Sequence, residues 1–293
     1  MSTAPSPDSI GAPSDAPGRA ATPASGQAAG LAHVRFVLVE PSHVGNIGSS
    51  ARAIRAMGFE RLCVVRPRDS RFRHSLEAVA LAAGATDVLE RAIAYESLTD
   101  ALAGVQLAVA TTGYARDFAV EPVEVRQAAA HAAELVHGAA GEVAFVFGTE
   151  RTGMRNEDIR RCHLSCCIPA DPDRSSLNLS QAVQVVAYEC RRELLARAQQ
   201  ADSAAPRADR SDPVPRVAQM PASIEQNEGM FEHLEQGLVA IGYLDPEQPK
   251  HLMARLRHLL MRAQPTASEV DILRGVASAM QLPRHLRAGR KKG

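Results

Sequence analysis

The amino-acid sequence predicts an α/β protein: a parallel sheet with helices on both faces, followed by a small helical extension. Two observations point to the sheet. Short apolar runs alternate with stretches of helical periodicity, and the runs are continuous rather than interleaved with polar residues, as expected of strands covered on both sides. A third sets off the extension. From Gln199 to Ala222 the chain places Pro206, Pro213, Pro215 and Pro221 among Ala, Asp and Arg, which is linker composition. The expected units are a disordered tail over 1–30, a main domain over 31–198, a linker over 199–222, a helical extension over 223–283 and a basic tail over 284–293.

The tail lacks aromatic and branched apolar side chains apart from Ile10, so it has too little surface to bury against the entropy of ordering. The β-branched run "HVRFVLVE" (33–40) is the first expected strand. It leads through a turn into "GNIGSSARAIRAMGF" (45–59), where Ile47, Ala51 and Ile54 fall at helical spacing before Gly58. The alternation continues with a strand "RLCVV" (61–65), a helix near 76–83, a Ser97/Asp100 capping box and a strand "QLAVATT" (106–112). A helix near 125–137 precedes the strand "EVAFVFG" (142–148), the acid-led "NEDIRRC" (156–162), the strand "HLSCCIP" (163–169) and a long helix over 177–197. Three helices are expected in the extension. One carries Phe231, Leu234, Leu238 and Ile241; one starts at Asp245 with Pro246 in first position and carries Leu252, Leu256, Leu259 and Leu260; one opens on a Thr266/Glu269 capping box.

At 293 residues and 45% hydrophobic, the chain is able to bury a substantial core. No apolar run approaches the roughly 18 residues that span a bilayer, and the start has no hydrophobic signal segment, so a cytoplasmic protein is expected. The five cysteines include no CxxC pair and are expected to be small buried residues, with neither disulfides nor a metal site. Net charge is zero, yet from Gln248 onward ten lysines and arginines face two acids, Glu269 and Asp271. Such a segment suits a polyanion such as nucleic acid, and a solvated surface would give the same composition.

Ligands of open parallel sheets sit beyond the carboxyl ends of the strands. Four strand-ending stretches there are rich in small residues: "GNIGSSAR" (45–52), "ATTGYARD" (110–117), "FGTERTGM" (147–154) and "IPADPDRSSLNLSQA" (168–182). Neither GxGxxG nor GxxxxGK[ST] occurs, which removes the main support for a nicotinamide or P-loop protein. Arg52 and Arg55 stand off the apolar stripe of their helix and are expected near its start.

Together these stretches resemble the SpoU branch of the SPOUT RNA methyltransferases, which move a methyl group from S-adenosylmethionine to a ribose 2′-hydroxyl. "NIGSSARA" (46–53), "FVFGTERTGM" (145–154) and "IPADPDRSSLNLSQAVQVVAYE" (168–189) match the three motifs of the branch in order. "LVEPSHVGNIGSSARAIRAMGF", "LAAGATDVL" and "LMARLRHLLMRA...EVDILRG" are further similar to the bacterial tRNA methyltransferases that act on cytidine or uridine 32. The resemblance implies a C-terminal trefoil knot, which base rates alone would argue against. It implies S-adenosylmethionine contacts at Thr111, Thr112, Gly113, Gly148, Ile168, Ser175, Ser176 and Leu177, with Gly148 and Gly153 allowing close approach to the cofactor; tight turns explain those glycines equally. It places Arg52 at the 2′-hydroxyl. A guanidinium stays protonated, so orienting the hydroxyl and a phosphate takes precedence over proton abstraction.

By the same resemblance Asn46 caps the first helix or holds Arg52 or RNA, Glu150 pairs with an arginine across a homodimer interface, and Asn178 ties the third loop. Arg55 and Arg116 are the candidate RNA phosphate contacts. The helix over 177–197 is the implied dimer contact, although core burial would produce its apolar stripe too. With 4% aromatic residues and no Trp there is no stacking platform, so recognition should rest on phosphates and RNA shape. The alternatives are a ribosomal-RNA 2′-O-methyltransferase of the same fold, a non-catalytic RNA-binding module and, more distantly, a nicotinamide oxidoreductase.

Overall fold

The computed structural model describes residues 30–113, 122–139, 141–171, 176–203 and 221–282. The strands are β1 (Val34–Val39), β2 (Arg61–Val65), β3 (Ile93–Tyr95), β4 (Leu107–Thr112), β5 (Val123–Glu124), β6 (Val143–Phe147) and β7 (Leu164–Cys167). The helices of the main domain are α1 (Val44–Ala56), α2 (Leu76–Leu81), α3 (Thr86–Arg91), α4 (Leu98–Ala101), α5 (Val125–Ala139), α6 (Asn156–Arg160) and α7 (Leu179–Ser203). Those of the extension are α8 (Ile224–Ala240), α9 (Leu252–Ala263) and α10 (Ala267–Gln281).

The sheet has seven strands in the order β3-β2-β1-β6-β4-β7-β5, and every pair is parallel. The parallel architecture predicted from continuous apolar runs is therefore the one observed. Along β1, Phe36 and Leu38 point into one core with Phe145, Phe147, Ile47, Ile54 and Val183, while Val37 and Val39 point into a second with Val146, Leu98 and Ile159. The side-chain period of two explains the split. Large residues load the first face under α1, α5 and α7; Val, Ala and Cys load the second, where short helices suffice to cover them.

Several expectations need correction. β3 and β5 were not anticipated; β3 is a short edge strand whose Ile93 is 52% exposed, so it lacks an apolar run to reveal it. The second extension helix does not begin at Asp245 and Pro246 but at Leu252, with His251 as N-cap. Asp245 instead makes a local turn, accepting the Glu247 backbone N–H at 2.9 Å. α7 continues to Ser203, so the first residues of the expected linker are helical, and Gly30, assigned to the tail, is the first of the described residues. The tail over 1–29, residues 204–220 and the basic tail lie outside the described residues, as do Arg116 and Ser175. The path of 114–121 and 172–175, on which a trefoil threading depends, lies outside them as well.

The extension docks on the second face of the sheet. Ile224 is buried in that core and donates its backbone N–H to the Val105 carbonyl at 3.1 Å, while the Glu225 carboxylate accepts from Gly104 N at 2.7 Å. Buried Asn227 meets His163 at 3.2 Å. The Ser223/Gln226 and Thr266/Glu269 capping boxes start α8 and α10, the second as predicted.

Candidate active site

Parallel pairing brings the carboxyl ends of β1, β6, β4 and β7 to one edge, where they end nearly level: Leu38 and Thr111 both pair with Phe147, and Thr111 pairs with Cys166. The loops that follow meet at a cleft of about 280 Å³. Thr111, Thr112 and Gly113 form one wall, residues 148–153 another, and Ile168, Ser176 and Leu177 a third, over an apolar floor of Phe147, Leu179 and Ala182. All of the expected cofactor contacts except Ser175, which lies outside the described residues, line this one cleft. The Thr112 hydroxyl is turned inward to the Cys166 carbonyl at 3.4 Å, so Thr112 offers the cleft mainly backbone.

Of the two reasons the sequence left open for Gly148, the structure displays the tight turn. A Cβ there would lie 2.2 Å from both the Gly153 carbonyl carbon and Met154 N. The loop folds back on itself, with Thr149 and Gly153 exchanging backbone hydrogen bonds of 3.2 and 3.0 Å, and leaves no room for a side chain. The tight turn by itself accounts for a glycine here.

Glu150 sits at the head of α1. Its Oε2 accepts from Ser42 N at 2.9 Å and Ser42 Oγ at 2.6 Å; its Oε1 accepts from Asn46 Nδ2 at 2.8 Å and His43 N at 3.4 Å. Partial burial raises the carboxyl pKa, but the hydrogen bonds from Ser42 and Asn46 outweigh it and bring the value down to about 2. These four donors fill the acceptor sites of a carboxylate. An arginine from a second subunit would have to displace one of them.

Asn46 is not the N-cap of α1. That position is His43, and Asn46 lies within the first turn. Its side chain bridges Glu150 and Asn178, accepting from Asn178 Nδ2 at 3.0 Å, so one residue from each of three chain segments is tied in a row.

Arg52 is farther from the helix start than expected. It lies in the third turn of α1, roughly 12 Å along the axis from the first helical residue at 1.5 Å rise per residue. Its side chain is exposed, outside the lining of the cleft, and has no partner among the described residues. Arg55 is exposed too, but pairs with Glu60 and Asp87 at 3.4 Å each in a solvated network that includes Arg91. Ion pairs of this kind contribute little to stability.

Three features were missed. Ser42 and His43 hold Glu150, and nothing in their residue types signals it. Arg151 lines the cleft. Glu40 and Arg66, at the ends of β1 and β2, both adopt left-handed backbone, with φ of 51° and 46°. Glu40 accepts from Arg66 Nε and Arg155 Nη2 at 2.8 Å each, a second tie between the β1–α1 and β6–α6 loops. All four buried cysteines are free thiols with burial pushing their pKa upward, in keeping with core packing. Among the described residues no group of His, Cys, Asp or Glu is arranged to hold a metal, and no helix is long and apolar enough to cross a membrane.

Residues 33–188 match the model of the SpoU rRNA Methylase family, and residues 225–292 match that of the tRNA methyltransferase TrmJ, C-terminal domain. The chain is 38% identical to the tRNA (cytidine/uridine-2′-O-)-methyltransferase TrmJ of Klebsiella pneumoniae, across 86% of this chain and 97% of the relative. It is 39% identical to the protein of the same name from Pectobacterium atrosepticum, across 86% and 98%. The crystal structure of TrmJ from Z. mobilis superposes with a TM-score of 0.66 at 31% identity, covering 84% of this chain and 98% of that one. A probable methyltransferase from Bordetella pertussis superposes at 0.55 with 48% identity over 57% of this chain and 99% of its own. Motif loops gathered at one sheet edge, a docked helical extension and these similarities along most of the chain establish that it belongs to the SpoU methylase family.

Proposed function

We propose that the protein is an S-adenosylmethionine-dependent methyltransferase that modifies the ribose 2′-hydroxyl of cytidine or uridine at position 32 of tRNA anticodon loops. The observation that carries this reading is the meeting of the second and third motif loops with the loop after β4 at a single cleft. The relatives' names supply the substrate class, and the matched C-terminal domain favours tRNA over ribosomal RNA. The cleft suits a cofactor with an apolar and a polar part. Phe147, Ile168, Leu177 and Leu179 offer an apolar bed, and Thr111, Gly113, Gly148 and Ser176 offer backbone and hydroxyl groups at its rim.

When bound, S-adenosylmethionine supplies a methyl group made electrophilic by a sulfonium. Attack by a neutral alcohol on a cation disperses charge, so the protein needs alignment and proton removal more than an oxyanion hole. In this reading Arg52 meets the nucleotide from the solvent side of α1 and orients the hydroxyl and its neighbouring phosphate. Glu150, Asn46 and Asn178 form the polar wall between cleft and RNA. The active form is a cytoplasmic homodimer that pairs through α7, where Tyr188 is 52% exposed opposite the stripe of Val183, Val186 and Cys190 that faces the core. The trefoil crossing belongs to the same reading.

The deciding experiment maps ribose methylation by mass spectrometry in tRNA from cells lacking the protein, with purified protein added back. Loss of methylation at position 32 and its restoration are expected. Unchanged tRNA, or label entering ribosomal RNA alone, would overturn the assignment.

A further inference from the structure

The polar row at the head of α1 has a direction. An ionised carboxylate only accepts hydrogen bonds, so the end of the Asn46 amide that faces Glu150 Oε1 at 2.8 Å is its NH2 group. The Asn46 oxygen is thereby turned away, and it accepts from Asn178 Nδ2 at 3.0 Å. The Asn178 oxygen in turn accepts from Ser180 N at 2.9 Å and Ser180 Oγ at 2.7 Å, at the start of α7. The facing of each amide fixes the next, and the row ends on the carboxylate.

The anchoring of that carboxylate decides the arrangement. Ser42 supplies two of its four donors, and its hydroxyl, at 2.6 Å, makes the shortest contact of the four. Asn46 itself is a member of the row, and His43 contributes only a backbone N–H at 3.4 Å. We propose that Ser42 is a positioning residue: by pinning Glu150 it sets which way the amides of Asn46 and Asn178 face beside the cleft. The proposal rests on the methyl-transfer reading above, because the effect is read through that reaction. Among the described residues Ser42 forms no hydrogen bond with an expected cofactor contact or with Arg52, and both its side-chain and its backbone donor go to Glu150, so its influence passes through that residue.

Removing the hydroxyl leaves the carboxylate with fewer donors, which makes it easier to protonate, and a protonated carboxyl presents an O–H that no longer enforces the facing of Asn46. Among the described residues, the charged and titratable groups next to Glu150 in the chain or on the loops that hold it are the His43 imidazole, the Arg151 side chain, and the Glu40–Arg66–Arg155 group at the neighbouring loop ends. None of these is altered by a change at Ser42.

The test is steady-state methylation of a tRNA transcript across the acidic range by the full-length wild type, Ser42→Ala and Ser42→Thr. For Ser42→Ala, kcat should fall by roughly 10- to 100-fold, the range expected when reacting groups are mispositioned. The KM for S-adenosylmethionine should stay near the wild-type value, and the acid limb of the pH profile should move to higher pH. Ser42→Thr, which keeps the hydroxyl, should restore both. Wild-type kcat and an unmoved acid limb in Ser42→Ala overturn the proposal, and so does a threonine variant no better than alanine. Should Ser42→Ala not fold, Ser42→Cys, of similar size with a weaker donor, takes its place and the same outcomes decide. A wild type that methylates no tRNA overturns the functional reading instead, so the two failures are distinguishable.

Discussion

The side-chain amide of Asn178 donates to Asn46 Oδ1 at 3.0 Å, joining the third motif loop to the first helix across 132 positions of the chain. Because Asn46 also donates to Glu150, its amide serves two partners of opposite demand, and aspartate is a poor replacement. Asn46→Asp sets two carboxylates at hydrogen-bond distance, which raises the proton affinity of the pair. Above the pH at which the pair ionises fully, the variant should be less stable and nearly inactive, with both properties recovering in part on acidification. Thermal melting and methyl transfer measured over the same pH series check this, and a variant equally active at neutral and acid pH would sink the assigned geometry.

Arg52 offers a cleaner separation of chemistry from folding. Its side chain is exposed and has no partner among the described residues, so Arg52→Ala should melt within about 0.5 kcal/mol of the wild type, as surface substitutions do. Methylation should fall by roughly 100-fold or more if the guanidinium aligns the hydroxyl, while calorimetric binding of S-adenosylmethionine is retained. Full turnover by the alanine variant removes Arg52 from the mechanism.

The long strands were legible because a parallel sheet demands continuous apolar runs, and β1, β2, β4, β6 and β7 supply them. β3 and β5 were not, because short edge strands owe their conformation to a neighbour rather than to their own pattern. Asp245 misled because the same side chain begins turns and helices by the same backbone bond. At the site, three of the four strand-ending stretches picked out in the sequence line one cleft. The sequence did not disclose that Glu150 is satisfied by Ser42 and Asn46, since pairing across more than 100 residues leaves no local trace. Glu40 and Arg66 carry left-handed backbone without the glycine that usually signals it.

Gly148→Ala tests the folded-back loop. The new methyl would press on the backbone of Gly153 and Met154 at 2.2 Å, and neither is able to rotate away. Destabilisation of about 1–3 kcal/mol is expected from overpacking, together with loss of cofactor binding as residues 149–153 move out of the cleft wall. Wild-type melting and wild-type affinity for S-adenosylmethionine would show that the loop does not close as described.

His163 joins the sheet to the extension and predicts a pH dependence of stability. Its Nδ1 accepts the Ala108 backbone N–H at 2.9 Å, so that nitrogen must be bare and the ring neutral. Burial lowers its pKa from 6.5 to about 4, partly countered by the Ala222 carbonyl. Asn227 faces the ring, and Arg160, Arg257 and His258 line the hollow beside it, adding no negative charge that would favour a proton. With the folded pKa depressed, the stabilisation is complete above about 6.5 and is lost as pH falls toward about 4, where the unfolded chain takes up a proton that the folded one refuses. His163→Asn keeps an acceptor for Ala108 without the titration. Its melting temperature should therefore vary less with pH across that window than the wild type's; an equal slope would contradict the assignment.

The extension is electrically polarised, and that decides which side should meet RNA. α8 carries Glu225, Glu228, Glu232 and Glu235, whereas α9 carries Arg255, Arg257 and Arg262. Arg257 is already committed, making a bidentate pair with Glu228 and lying 4.2 Å from the Phe231 ring centroid. Arg255 and Arg262 are exposed and are the ones placed to contact phosphates. Each phosphate contact removed should flatten the plot of log affinity against log salt by about 0.7 to 0.9, so the double change Arg255→Ala, Arg262→Ala should reduce the slope by about 1.4 to 1.8. Arg257→Ala should instead lower the melting temperature and leave the slope nearly unchanged, because its charge is spent within the extension. Filter binding of tRNA over a salt series separates the two: a double variant with the wild-type slope would mean that RNA does not approach along α9.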